Sequence, residues 1–287
     1  MRNNKIIVSG NCWLAYFDIL GFKNEVEFAD TDKYKNGEYR KEHVLGICAN
    51  CSEEIKLLKQ FDELEEGFVN VIWFSDTFIF YAPNDSEECL KAIEGISRLF
   101  FRTHFTSNWH CGADEKKKQF LSGIPNPIHI PLRGCLNYGR FHADPDNSIY
   151  WGISLNKAHE LAESQNWIGY ILSEEAVNQI QKQHTDYWKS IKDCYKKYNI
   201  PLKDQKYKSL YAYYDEKRSE IYGNICRPTP GNDLGDGLLH MWHNFLDKNK
   251  NYDKKTITKY ENTKNFLLGI YPNLHDLIKD VGKINPL

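Results

Sequence analysis

Two strongly apolar stretches, each interrupted by a single acid, constrain this chain more than any other feature. Residues 12–20, Cys-Trp-Leu-Ala-Tyr-Phe-Asp-Ile-Leu, hold Asp18 in a run that otherwise reads as a buried strand. Residues 68–81, Phe-Val-Asn-Val-Ile-Trp-Phe-Ser-Asp-Thr-Phe-Ile-Phe-Tyr, form two β-rich runs around Ser75-Asp76, the pattern of a hairpin. A carboxylate in apolar surroundings is costly unless it is paired or ligates a cation. Either acid alone reads as a turn cap or as the partner of a lysine. Both together, at a strand–turn–helix junction and a hairpin tip, read as a clamp for hard Mg2+ or Mn2+. Such ions take a few carboxylate oxygens and complete their shell with phosphate and water.

The turn Gly21-Phe22 follows the first run and precedes an expected helix over 23–30. Backbone N–H groups at such a junction can receive phosphate. Periodicity predicts further helices over 41–62 and 87–105, the second capped by Asp85 or Ser86. A strand over 128–136 is expected to end in a turn at Gly139. A short extended piece at 148–152, a helix over 155–163, a strand over 167–172 and a helix opened by Ser173 follow. Beyond these the pattern predicts a Lys/Tyr-rich helix over 185–198, extended segments at 207–214 and 220–225, a loop at 228–237, and helices over 236–248 and 253–270. Up to about residue 180 the order is β-α-β-β-α-β-α-β, that of a ferredoxin-like α/β (α+β) sheet with additions. The organisation expected is one domain over 1–182, with a helical and extended C-terminal extension, 183–287, packed on it.

Composition removes several classes. Among 287 residues, 37 Lys+Arg against 39 Asp+Glu leave a net charge of −2, and a surface that tracks nucleic-acid phosphates needs a basic excess. The eight cysteines are dispersed in apolar runs and read as small buried hydrophobes kept reduced. No stretch approaches the roughly 18 apolar residues of a membrane span, and the start lacks a long apolar core. A cytoplasmic protein with no membrane span is the expectation. Cys48-x-x-Cys51 has no second pair and so falls short of a zinc site. His240 and His243 read as packing residues, and the Glu/Lys run at 115–118 as a solvated loop.

Several motifs, in order, resemble one family. Phe17-Asp18-Ile19-Leu20-Gly21-Phe22 is similar to the Phe-x-Asp-Ile-x-Gly-Phe signature of class III nucleotidyl cyclases. Ser75-Asp76 resembles that family's Gly-Asp hairpin turn, Arg133-Gly134 its strand, and Gly152-Ile153-Ser154-Leu155-Asn156-Lys157-Ala158 its Gly-x-x-x-Asn-x-Ala helix start. The resemblance covers residues 12–180 and is strongest to the pyrimidine cyclases of bacterial Pycsar antiphage defence. It implies conversion of UTP to 3′,5′-cyclic UMP and pyrophosphate, with CTP to cyclic CMP, then adenylate or guanylate cyclase, then an inactive nucleotide sensor as alternatives. It further implies two divalent ions on Asp18, the Ile19 carbonyl and Asp76. Substrate contacts would come from Phe17, Gly21, Phe22, Arg133 and Asn156. The expected assembly is a homodimer, and a separate cyclic-nucleotide effector would read the product. Three positions depart from the family: Ile72 and Ile149 replace polar base readers of purine cyclases, and Glu160 stands where a transition-state Arg is expected.

Overall fold

A computed structural model describes residues 7–23, 26, 67–106, 131–214 and 254–270, with side chains of 102–106 excepted. The helix over 41–62 with Cys48 and Cys51, most of the helix over 23–30, the run at 115–118, the segments at 220–225 and 228–237, and the helix carrying His240 and His243 lie outside the described residues.

The first acid-bearing run is β1, Val8–Ile19, buried without a break from Cys12 to Ile19. The second is a hairpin of β2, Asn70–Phe74, and β3, Thr77–Tyr81. Helix α1, Glu87–Thr106, follows. The Ser86 hydroxyl accepts from the Cys89 N–H (3.3 Å), so of the two expected caps Ser86 makes this contact. β4 is Leu132–Asp144, and β5, Ile149–Trp151, folds back on it. Helix α2 (Ile153–Ser164), β6 (Gly169–Leu172) and helix α3 (Glu174–Gln183) come next. Ser173 caps α3 by accepting from the Ala176 N–H (3.0 Å). Helix α4 (Thr185–Ile191), β7 (Tyr195–Pro201), β8 (Tyr207–Tyr213) and helix α5 (Lys254–Ile270) complete the described chain.

The strands make one mixed sheet in the order β2-β3-β1-β4-β6-β8-β7, with β5 on β4. The first four, β4-β1-β3-β2, are antiparallel to their neighbours, as the ferredoxin-like order requires. Alternation along β1 assigns its two faces. Phe17 meets Phe100 of α1 (ring centroids 5.2 Å), whereas Tyr16 meets His159 of α2 (5.5 Å). α1 and α2 therefore cover opposite faces. Phe17 is fully buried among Phe80, Phe100 and Tyr170, worth about 1.5–3 kcal/mol of burial. Gly134 lies opposite it: a Cβ there would stand 2.3 Å from the Phe17 ring. The described cysteines, Cys12, Cys89, Cys135 and Cys194, are buried thiols.

Two expectations need correction. The strand after 128 does not turn at Gly139; it runs on to Asp144 and pairs with β1 from Ile19 back to Val8. Asn137, which reads as a turn residue, is buried there, donating to Ser154 (2.9 Å to its carbonyl) and accepting from the Ser173 hydroxyl (2.7 Å). The helix over 185–198 stops at Ile191, passes through a 3-10 turn and becomes β7 at Tyr195. Tyr195 and Ile200 are buried in that strand, and β7 pairs with β8 along its length, so sheet pairing overrides a helical Lys/Tyr pattern. Through β8 this hairpin joins β6. α5 also packs on the start of β6: the Thr263 hydroxyl sits 2.8 Å from the Ile168 N–H, and Phe266 lies against Trp167 and Tyr198.

Candidate functional site

Register brings the two acids together. Asp18 lies opposite Thr77 on one side and Arg133 on the other. Asp76 precedes Thr77 at the hairpin tip, and its carbonyl accepts from the Ile19 N–H (2.9 Å). The tip is tight: Ser75 takes a left-handed φ of +56°, and the Trp73 indole donates to its carbonyl (2.8 Å). Asp18 and Asp76 thus occupy adjoining strand ends. Asp18 is buried (7% exposed) and Asp76 half-buried.

Arg133, itself 5% exposed, grips Asp18 with two nitrogens on a single oxygen: Nε and Nη2 stand 2.8 and 2.6 Å from Oδ2. Nη2 also meets Glu163 Oε1, and Nη1 donates to the Glu163 and Gln165 carbonyls (3.1 and 3.5 Å) just where α2 ends. Lys203, in the β7–β8 turn, takes the other oxygen of Glu163 (3.1 Å). Alternating charges therefore run Asp18, Arg133, Glu163, Lys203 from the interior to the surface.

Burial pushes the Asp18 carboxyl up to about 6; Arg133 pulls it down, while Glu163 and Asp76 push it up again. One guanidinium does not offset burial and the neighbouring acids together. Burial also raises Glu163, but Arg133 and Lys203 outweigh it and leave the carboxyl below its ordinary value. Tyr16, two residues before Asp18, places its hydroxyl 3.3 Å from that of Thr77 and is pushed to about 12, mainly by burial.

The remaining expected site residues divide. Gly21 sits at φ +84° with open space around its Cα, so its backbone and not its size requires glycine. Phe22 is buried at the start of a helical turn, and Phe17 is wholly in the core, out of reach of a solvent-borne ligand. Asn156 is exposed in the first turn of α2, seven residues before Glu163, about 10 Å along the axis at 1.5 Å per residue. Within one chain it stands apart from the acids, as does exposed Ile149; Ile72 pairs with Ile79 in the hairpin. Sequence reading missed Glu163, Lys203, Tyr16 and His159. A signal for Glu163 existed: Arg133 in an apolar strand needs an anion.

A divalent ion fits this donor set. Asp18 and Asp76 offer hard oxygens at adjoining strand ends. Among the described residues no group of three or more His, Cys, Asp or Glu is placed to hold a metal ion. An ion on these two carboxylates would therefore need substrate phosphate and water to complete its shell, as Mg2+ and Mn2+ accept. Among the described residues no helix is long and apolar enough to cross a membrane.

No protein-family profile matches the chain, and no curated protein matches it in sequence. Solved structures overlap it loosely. The adenylyl cyclase CyaB from P. aeruginosa does so at a TM-score of 0.46 and 14% identity, over 74% of this chain and 97% of that one. The catalytic core of a rhodopsin-guanylyl cyclase with converted specificity, in complex with ATPαS, overlaps at 0.43 and 12%, over 71% and 95%. An adenylate/guanylate cyclase/hydrolase from Silicibacter pomeroyi overlaps at 0.38 and 11%, over 72% and 98%. The functional reading rests on the residues and not on these overlaps.

Proposed function

We propose that the chain is a nucleotidyl cyclase that acts on a pyrimidine ribonucleoside triphosphate, UTP before CTP. The observation that carries the reading is the juxtaposition of Asp18 and Asp76 on adjoining strand ends, tied by the Ile19 N–H on the Asp76 carbonyl. The reaction is attack of the ribose 3′-hydroxyl on the α-phosphate, with the P–O bond to pyrophosphate breaking as the new P–O bond forms. A divalent ion bound there would lower the pKa of the attacking hydroxyl and offset charge on the leaving pyrophosphate. Asp18 and Asp76 would hold that ion, the latter half-buried at the hairpin tip. The turn at Gly21 presents backbone N–H groups toward the phosphates. Arg133 orients Asp18, and shares its charge with phosphate only by giving up a contact made inside the protein.

Pyrimidine choice rests on Ile72 and Ile149, which offer no hydrogen bond to a purine edge; Ile149, apart from the acids of its own chain, would face the base only across a dimer. Asn156 lies apart from the acids of its own chain, which supports a two-fold homodimer in which it serves the partner's site. The product, cyclic UMP, would be a messenger read by a separate effector in antiphage defence. The test is a competition: equal UTP, CTP, ATP and GTP with Mn2+ in one tube, products identified by mass spectrometry. Cyclic UMP is expected to dominate purine products by about tenfold or more, a difference of about 1.4 kcal/mol at the transition state. Cyclic AMP or cyclic GMP as main product overturns the pyrimidine assignment. Sedimentation that shows a fully active monomer overturns the dimer.

A further inference from the structure

Arg133 presents a difficulty for cation binding at Asp18. In the metal-free protein its guanidinium already occupies Asp18 Oδ2 through two nitrogens. A divalent ion arriving at either oxygen of that carboxylate repels the guanidinium and draws charge away from its contact with Oδ2. Arg133 is too deeply buried to escape into water (5% exposed), and a buried cation stripped of its anion is strongly unfavourable. A second anion already in place for Arg133 therefore favours binding of the ion.

Glu163 is that anion. It meets Nη2 of Arg133 through Oε1, and its own main-chain carbonyl receives Nη1. Lys203 holds Oε2 (3.1 Å), so the carboxylate is oriented before any ion arrives. We propose that Glu163 is the positioning residue of the cation site, the standing partner that lets Arg133 release Asp18 to a divalent ion. This rests on the reading of Asp18 and Asp76 as the cation site. Glu163 touches neither substrate nor ion; it acts through Arg133. With glutamine at 163, Asp18 becomes the sole anion of Arg133 and the pair resists the ion.

The test uses the full chain, metal-free and without nucleotide, titrated with Mn2+ while free Mn2+ is read by electron paramagnetic resonance. Wild type, Asp18→Asn, Glu163→Gln, Glu163→Asp and Asp186→Asn are compared. Asp186 is an exposed carboxylate on α4 and controls for the loss of one charge. Glu163→Gln is expected to weaken Asp18-dependent binding about threefold or more, the scale of losing one half-buried, charge-assisted hydrogen bond. Glu163→Asp should recover part of that loss, and Asp186→Asn should stay near wild type. A smaller loss or tighter binding in Glu163→Gln, no recovery in Glu163→Asp, or an equal loss in Asp186→Asn overturns the proposal while leaving the cation site standing. Absence of any Asp18-dependent Mn2+ binding in wild type overturns both. Should Glu163→Gln fail to fold, Lys203→Met carries the test: it removes the contact that orients Glu163 toward Arg133 and should weaken Mn2+ binding although it also removes a positive charge. Unchanged or tighter binding overturns the proposal.

Discussion

Two buried arginine–carboxylate pairs among the described residues differ in how many acids share the arginine's contacts. On the α1 side, Glu94 is fully buried and Arg98 nearly so, with Arg98 Nε 2.6 Å from Glu94 Oε1. The Tyr195 hydroxyl donates to Oε1 (2.6 Å) and the Tyr187 hydroxyl to Oε2 (2.8 Å). Glu94 meets Arg98, and its two carboxylate oxygens receive the hydroxyls from α4 and β7. On the α2 side, Arg133 is shared between Asp18 and Glu163, with Asp76 at the neighbouring tip. The first cluster ties helix to sheet. The second has surplus negative charge at an accessible edge, which is what a cation-dependent site needs and a structural tie does not. The same residue types thus serve packing or chemistry according to how their charges balance.

The largest expected difference between the clusters is in stability. Arg98→Met leaves Glu94 buried without its cation and should cost about 3–5 kcal/mol in denaturant unfolding. Asp18→Asn removes an under-compensated charge, and Arg133 keeps Glu163 and two carbonyls, so stability at neutral pH should hold or rise. A collapse of Asp18→Asn comparable to that of Arg98→Met would erase the distinction.

A second difference appears with pH. The Asp18 carboxyl titrates near 6 in the folded protein, above the unfolded value. The native state therefore binds a proton that the unfolded chain releases between about pH 4 and 6. The favourable contribution is complete at the acid end and is lost as pH rises through 6. Measured against Asp18→Asn, wild type should lose on the order of 1–3 kcal/mol over that window. Parallel stability curves for the two proteins would contradict a raised Asp18 carboxyl, whose largest cause is burial and whose neighbouring acids add to it.

The smallest effect belongs to the outer end of the charge chain. Lys203 is half-exposed, and exposed ion pairs contribute about 0–1 kcal/mol. Lys203→Met should leave the unfolding midpoint nearly unchanged; a large loss would make the outer pair a structural element like Glu94–Arg98.

The acid-bearing elements were legible because Asp18 and Asp76 break apolar runs with strand periodicity, and their order along the chain matched a ferredoxin-like sheet. What stayed hidden depended on register. Nothing local in 132–136 says that Arg133 faces Asp18; that follows only once β4 runs antiparallel beside β1 for twelve pairs, past the glycine that reads as a stop. Glu163 was hidden because it flanks the small-residue stripe Ser154, Ala158 and Ala162, where a charge reads as solvated surface. The β7 strand was missed because Tyr and Lys suit helix and strand alike, and the buried Glu94 that receives the Tyr195 hydroxyl lies 101 residues away.

The central claim is that Asp18 and Asp76 form one cation-dependent cyclising site. It is tested most directly by single-turnover formation of cyclic UMP from UTP and Mn2+ in wild type, Asp18→Asn and Asp76→Asn, with unfolding midpoints measured on the same samples. The account predicts product from wild type and a loss of about 100-fold or more in each folded variant, roughly 2.7 kcal/mol at the transition state. Wild-type rates in either folded variant, or no cyclic nucleotide from the wild-type protein, would contradict it.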